Sequence, residues 1–569
     1  MAIDYFVDWR GKPIDKKWHG GVRAACFLYV LVATTSTAMI ANMLNLVVYL
    51  HGTMHTGVSS SSTIVTNFIG AASGFSLIGA FLSDSYITRF RTILIFGPLE
   101  FLGLALLAFQ AHFPSLHPPS CNVDGKSNTC VEVHGLNSAI LHVALYSIAF
   151  GEGCIRACLP SLGGDQFDDD DPVESRLKAS FFNWYTIGIS LGSFTGLLLI
   201  VWIQNNKGWD IGFTVCALLV LLGLIVVASS FPFYRNQKPK GSPLTRILQV
   251  LVAAFRNRKL ELSEKLEAQQ IANEDAVDID VLSSTEGLKF LDKASVGHGE
   301  HGSWSYCSVT QVEETKIVLR MLPLFISSII SYIPIPLLLT LTVEQGGTMN
   351  TSLGKIHVSP ASLFVIPTIF QMVILIVYDR FIVPVARRIT GYANGITHLQ
   401  RIGIGFVSVT LASFVAALVE RKRKQVAEEN GLEEFGTGVP MSMFWLTLQF
   451  FFLGVVDTTS FVGLLEFFNS EASRGMKSIG VAIFWCIIGL ASWLGSLLIQ
   501  IVNKATRHGG GEKGWLEGAN LNKSHLDRFY WLLSVLGLVG FLNYLYWARR
   551  YAYRHNPCIM KVEGRKNSP

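Results

Sequence analysis

The sequence predicts an all-α integral membrane protein whose twelve transmembrane helices form two six-helix bundles. Three observations point there. Half of the 569 residues are hydrophobic and only 15% are charged, whereas soluble domains carry about a quarter charged residues. Mean hydropathy is positive, +0.40. Twelve apolar runs recur along the chain, most of them matching the roughly 20 residues that cross a bilayer.

The elements follow in order. Residues 1–23 are polar and charged, with no apolar stretch of signal-peptide type, so the first span acts as its own uncleaved signal. The first bundle, 24–234, holds apolar runs at 24–50, 62–83, 93–111, 138–160, 179–204 and 210–234. The second and fourth runs are rich in Gly and small polar residues, which let helices pack closely in lipid. A polar linker covers 235–315. The second bundle, 316–552, holds runs at 316–343, 359–383, 397–420, 441–468, 476–503 and 526–550, and a tail covers 553–569.

Basic residues set the orientation. Arg10, Lys12, Lys16, Lys17 and Arg23 precede the first run. Arg89 and Arg91, Arg176 and Lys178, Arg380, Arg387 and Arg388, and Arg474 and Lys477 mark the even loops. Arg549, Arg550 and Arg554 mark the tail, and the first loop, His51 to Ser61, has no Lys or Arg. Both termini are therefore expected in the cytoplasm. Arg421, Lys422, Arg423 and Lys424 break the pattern by falling in the ninth loop, outside.

Within the linker, Pro243 to Lys259 reads as an amphipathic helix. It sets Leu244, Ile247, Leu248, Leu251 and Phe255 against Arg246, Arg256 and Arg258, a pattern suited to lying on an anionic leaflet. The middle of the linker, Glu261 to Gly302, is polar. Its His298-Gly-Glu-His301 lacks a third ligand and reads as loop, so no metal site is expected.

Several function classes drop out. A net charge of +5 without a basic run interleaved with aromatics argues against nucleic acid. The nine cysteines form no CxxC pair. Cys26, Cys154, Cys158, Cys216 and Cys486 lie in apolar runs as small hydrophobes, and Cys121 and Cys130 share a polar loop where a disulfide can form. No GxSxG, HExxH or His-rich constellation points to an enzyme. The acids Asp168 to Asp171 read as a solvated loop, and Glu100 is an intramembrane acid with no assigned task. Asn350-Thr-Ser352 and Asn522-Lys-Ser524 are sequons in loops expected outside, open to glycosylation.

The two halves echo each other. Asp84 with Arg89 and Arg91 joins runs two and three, as Asp379 and Arg380 with Arg387 and Arg388 join runs eight and nine. That duplication resembles the major facilitator superfamily, in which the substrate site lies at mid-membrane between the halves. Three segments are more specific: Phe150 to Asp168 (FGEGCIRACLPSLGGDQFD), Phe181-Phe-Asn-Trp-Tyr185, and Leu465-Glu-Phe-Phe468 with Met476-Lys477. Together they resemble the proton-coupled peptide transporter (PTR/POT) family, in its plant nitrate-and-peptide branch. The likeness runs from Trp9-Arg-Gly11 to Tyr551. Gly241-Ser-Pro-Leu-Thr245 and Thr397-His-Leu-Gln-Arg-Ile-Gly403 are similar to the subgroup of importers of nitrate, abscisic acid and gibberellin.

The resemblance implies secondary active import of a small solute by alternating access, with protons as the coupling ion and no other cofactor. It implies the lipid bilayer and a small-molecule substrate as partners, with the plasma membrane as the common home, and it leaves the oligomeric state open. The family couples protons through an ExxE(K/R) motif in helix one, a lysine in helix four and an acid in helix ten. Here the helix-one positions are Val32, Thr35 and Ser36, which can hydrogen-bond but carry no proton. Arg156 stands at the lysine position, and a charge at mid-helix costs roughly 2.5–3.5 kcal/mol without a partner. Glu152, four residues earlier, is expected to pair with it. Asp457 stands at the helix-ten position as the best remaining proton carrier. In helix seven, Tyr332-Ile-Pro334-Ile-Pro336 predicts a kink. The histidine of the family's nitrate site is replaced there by Ile335, which cannot donate to an anion. Thr35, Ser36, Tyr332 and Tyr185 are the further cavity candidates. Two alternatives stay open beside coupled import: an uncoupled facilitator of the same fold, and a receptor-like relative that does not transport.

Overall fold

The structure, a computed structural model, describes residues 6–8, 10–15, 18–119, 132–168, 171–237, 241, 243–258, 288–295, 304–353, 356–357, 359–390, 396–432, 438–471, 477–507, 514–518 and 520–551. The proposed Cys121–Cys130 disulfide and His298–His301 lie outside these residues.

Among the described residues, twelve helices are long and apolar enough to cross a membrane. The first half contains α1 Gly21–Gly52, α2 Val58–Ser85, α3 Arg89–His112 and α4 Gly135–Gly164. It continues with α5 Pro172–Thr195, prolonged by a π turn at Gly196–Ile200 and by Val201–Asn206, and ends with α6 Trp209–Ser229. The second half contains α7 Val309–Gly347, α8 Pro360–Ala386, α9 His398–Glu429, α10 Met443–Phe468, α11 Lys477–Thr506 and α12 Leu526–Arg550. Leu218, Leu222 and Ile225 of α6 and Val535, Leu538, Val539 and Leu542 of α12 are among the large apolar side chains left exposed, as lipid-facing surfaces require. Several helices begin earlier than their apolar runs. α7 begins at Val309 rather than 316 because Ser308 and Gln311 form a capping box there. Its proline pair breaks it at Ile333, with Pro334 starting the second stretch, as the kink required.

Helix contacts are built on small residues. Gly192 and Gly196 of α5 lie against α1, where a methyl at 192 would stand 2.9 Å from Ser36 Cβ. Gly103 of α3 lies against the α4 backbone at Ala144 and Ile148. Cys154, Cys158 and Cys216 are buried as expected, but Cys26 is exposed: it sits on the outward side of the first turns of α1 and packs no core.

The end of the molecule that carries the amino-terminal segment and the linker is called here the linker end, and the other the far end. At the linker end β1 Phe6–Val7 pairs antiparallel with β2 Asn236–Gln237. The GDQFD signature is consumed by structure there. Arg89 bridges Asp84 (3.1 Å) and Asp165 (2.6 Å), tying α2, α3 and α4 together. The Gln166 amide donates to Arg235 O and its carbonyl accepts from Arg235 N. Phe181 of the second signature fills the space beside Gly163, where any side chain would collide with it. Glu174 accepts from Arg235 at 2.7 Å, and that hydrogen bond holds its carboxyl below the usual carboxylate range.

The linker helix, Pro243–Arg256, forms as expected and packs part of its apolar side on the protein. Val250, Ala253 and Ala254 are buried against Leu291, Ala294, Cys307 and Val312, and Ile247 packs near Val318 and Ile483. The seam lies at Ile247, Val250 and Ala254, on the protein; of the expected membrane face, Leu248 and Phe255 stay exposed. Amphipathicity shows that a face must be covered, not by what, and here the protein covers part of it.

The far end accounts for half of the basic run, Arg423 and Lys424, while Arg421 and Lys422 stay exposed. α9 does not stop near 420 but runs on to Glu429, carrying the basic run on helix. Arg423 is fully buried, forking onto Glu420 at 2.6 and 2.8 Å and donating to Thr348 Oγ1 and Asn522 Oδ1. Lys424 donates to Ser524 O and reaches Asp527. These cations are neutralised inside an ordered cap. The same network removes Asn522 as a glycosylation acceptor: it is 7% exposed, accepts from Arg423 and donates to Leu432 O. Asn350, by contrast, is exposed.

The halves are joined at the far end. Ser62 meets Thr340 at 2.7 Å, Asn503 donates to Ser59, Asn205 to Ser359, Ser362 to Leu197 O, and Val58 N to Gly518 O. Trp493 of α11 lies over Gly70 and Gly74 of α2.

Candidate functional site

The polar run in α1 is turned inward on its own helix. Thr35 is 4% exposed and donates to Leu31 O at 2.9 Å; Thr34 and Thr37 back-bond in the same way. Ser36 faces the α5 glycine stripe. Hydroxyls that already donate to carbonyls of their own turn offer little to a solute.

The charge in α4 is paired. Arg156 donates to Glu152 Oε1 from Nη2 at 2.7 Å and from Nε at 3.1 Å, the i,i+4 geometry that one helix face provides. The Arg156 side chain keeps 23% exposure while that of Glu152 keeps 7%, so the cation is the accessible member. Its guanidinium carbon stands 4.5 Å from the ring centre of Trp485, which belongs to α11 in the other half. Such stacks contribute about 0.5–2 kcal/mol as desolvation rises. Tyr185 of α5, half-buried, lies within electrostatic reach of both Glu152 and Arg156 and packs on Phe181 at 5.9 Å.

An aromatic chain continues from Trp485. Phe484 lies 5.2 Å from it, and Phe461 of α10 lies 4.7 Å from Phe484 and 6.2 Å from Trp485. Phe461 closes a π turn, Asp457–Phe461, that opens at Asp457 itself. Widened turns of this kind mark functional positions in helices. The turn is braced from α9: Arg401 donates to Thr458 O at 2.8 Å and to Glu466 at 2.9 Å, and stacks 4.7 Å over Tyr378. Arg401 lies in the Thr397–Gly403 stretch, so that segment acts by shaping α10. The Asp457 carboxyl makes no hydrogen bond or ion pair among the described residues; in particular it does not pair with Arg156. It lies within electrostatic reach of Tyr332, whose hydroxyl is 3.3 Å from Ser460 Oγ and whose ring meets Phe406 edge-on. Tyr332 is only 4% exposed.

The structure thus brings Arg156, Glu152 and Tyr185 into one cluster and Asp457 and Tyr332 into a second, with Trp485, Phe484 and Phe461 between them. Thr35 stays apart, bonded to its own helix. Trp485 and the π turn were not foreseen. Nothing local distinguishes Trp485 from the other tryptophans of the chain, and backbone widening leaves no residue signature.

Residues 90–516 match the POT family (PTR2). The NRT1/PTR FAMILY 4.6 protein of Arabidopsis thaliana is 39% identical over 574 residues, covering 96% of this chain and 97% of that protein. The NRT1/PTR FAMILY 4.5 protein of the same plant is 40% identical, covering 96% of each. Among solved structures, an auto-inhibited POT family peptide transporter aligns with a TM-score of 0.67 at 18% identity, covering 93% of this chain and 97% of that one. The POT family transporter PepTSo aligns with a TM-score of 0.66 at 17% identity, covering 93% and 98%.

Proposed function

This chain belongs to the POT family of membrane transporters, not to an enzyme family, and from that premise we propose that it imports a small amphipathic carboxylate together with protons. The observation that carries the reading is Arg156: an accessible guanidinium in mid-helix, held by Glu152 and backed by an aromatic from the opposite half. A guanidinium receives a carboxylate through two parallel hydrogen bonds. The aromatic series Trp485, Phe484 and Phe461 suits an apolar body better than a bare inorganic ion. Ile335, which cannot donate, disfavours nitrate. Abscisic acid and gibberellin, both carboxylic acids, are the first substrates to test, and nitrate and dipeptides the comparison.

Alternating access brings the site to each side in turn. The far-end contacts describe a conformation closed on that side, so the linker end is where the solute leaves. With both termini in the cytoplasm and the protein in the plasma membrane, the closed side is the extracellular one. Asp457, the carboxyl without a partner at the π turn, exchanges the coupling proton.

The test is uptake in oocytes at two pH values with simultaneous current recording. Acid-stimulated uptake of a carboxylate hormone, lost in Asp457→Asn, supports the reading; an Asp457→Asn variant with unchanged pH dependence overturns the role given to that residue. One second reading has a specific observation behind it. Val32 and Thr35 leave α1 without a carboxyl, which favours an uncoupled facilitator, seen as flux without current or pH dependence. Neither flux nor current marks a receptor.

A further inference from the structure

One buried acid has no task in this scheme. Glu100 of α3 is 1% exposed, and among the described residues neither carboxyl oxygen has a hydrogen-bond partner. It lies where α3 and α4 come closest: Gly151 faces it, and a methyl at that position would stand 2.7 Å from Glu100 Cβ. The residue after that glycine is Glu152. Its Oε1 takes both Arg156 nitrogens and its Oε2 is unpartnered as well. Three unsatisfied carboxyl oxygens and one guanidinium therefore share the interior of the first half.

The surrounding ionisable groups are few. Glu152 and Arg156 face Glu100 from α4, with Tyr185 of α5 behind them, and the Cys216 thiol faces it from α6. Asp210, the other ionisable group of α6, is held by His112 at the far end. Asp84, the ionisable side chain of α2, is held by Arg89 at the linker end. One guanidinium balances one carboxylate. A second ionised carboxylate here would be buried, unpaired and without a donor, a state that proteins avoid by keeping the group neutral. Two buried acids within electrostatic reach of each other share protons and titrate as a unit.

We infer that Glu100 and Glu152 together form a proton-binding site of the first half, keyed to Arg156. This deepens the proposed transport cycle and rests on it. Without solute, Arg156 is paired with Glu152 and the two acids hold one proton. When a substrate carboxylate takes the guanidinium, Glu152 loses its counter-charge and the pair binds a second proton. One O–H bond forms on the pair for each carboxylate bound at Arg156. That proton comes from the side where the solute enters, and it dissociates on the other side as the solute leaves and Arg156 returns to Glu152. The pair supplies from α3 and α4 the carboxyls that α1 lacks at Val32 and Thr35.

Infrared difference spectroscopy on the full chain in lipid vesicles tests this directly, with abscisic acid as the probe. Before solute is added, wild type shows a protonated-carboxyl band at neutral pH that Glu100→Gln removes, because Glu152 alone stays ionised on Arg156. Uptake of labelled abscisic acid in oocytes shifts its pH midpoint in Glu100→Gln and in Glu152→Gln, and the double variant shifts it by less than the sum. Should Glu100→Gln fail to fold, Glu100→Asp retains the band at a displaced midpoint. A band and a midpoint both unchanged in Glu100→Gln overturn the inference. Acid-stimulated uptake with the band persisting removes the pair and leaves coupling through Asp457. Uptake without acid stimulation, with the band lost in Glu100→Gln, removes proton coupling and leaves the shared-proton pair standing.

Discussion

Gly70 of α2 is the place where a single methyl group tests alternating access. It faces the Trp493 indole of α11, across the boundary between the halves. A Cβ at this position would stand 2.6 Å from the ring atoms Cδ1 and Nε1 and 3.2 Å from Gly489 O. Comfortable carbon contacts begin near about 3.5 Å. The indole cannot simply swing aside, because the Gly489 backbone approaches the same point and Trp493 also covers Gly74, where an added Cβ would stand 2.8 Å from the ring. Overpacking of this kind costs about 1–3 kcal/mol. The cost falls on the conformation closed at the far end, since opening that end separates α2 from α11. At about 1.4 kcal/mol per tenfold, Gly70→Ala shifts the population toward the far-end-open state by about fivefold to about a hundredfold. The assay uses a Ser62→Cys reporter, because Ser62 is buried beside Thr340 in the closed state. An impermeant maleimide applied to intact cells labels this cysteine faster by that factor when Gly70→Ala is added, and substrate uptake slows at equal surface expression. Equal labelling and equal uptake in the two backgrounds refute the reasoning.

Two further outcomes follow from the charged networks. Arg423→Met leaves Glu420 buried without a counter-charge, with the Gln345 amide as its remaining donor, which costs about 3–5 kcal/mol, whereas Arg423→Met with Glu420→Leu restores most of the loss. Thermal unfolding in detergent checks this, and a double variant as unstable as the single one contradicts it. The Glu174–Arg235 bridge gives a pH dependence at the linker end. Because the folded carboxyl is held low by its hydrogen bond to Arg235, its stabilisation is complete above the ordinary carboxylate range. It disappears as pH falls through the lowered value. Wild type is therefore more stable than Glu174→Gln at neutral pH and converges with it in acid; a gap independent of pH argues against this sign.

The candidate site was partly legible before any coordinates. Arg156, Glu152 and Asp457 stand out because a charge in an apolar run needs a reason, and the four-residue spacing of the first two already implies their contact. Spacing along the chain could not show that Asp457 opens a π turn, that Trp485 reaches across to Arg156, or that Glu100 lies within electrostatic reach of Glu152. Each depends on residues far apart in sequence. The linker helix and the α9 extension show the same limit. Ile247 and Val250 declare a face that must be covered, and Arg423 declares a charge that must be balanced, without saying by which partner.

Composition and periodicity alone determined the solvent, the count of spanning helices and the division into two halves. Those depend on apolar length and on backbone groups that lipid cannot satisfy. Tertiary packing decided which acids lie near one another, which cation stays accessible and where the two halves touch. Those are matters of distance between helices, and distance between helices is set by where Gly70, Gly151 and Gly192 let two backbones approach.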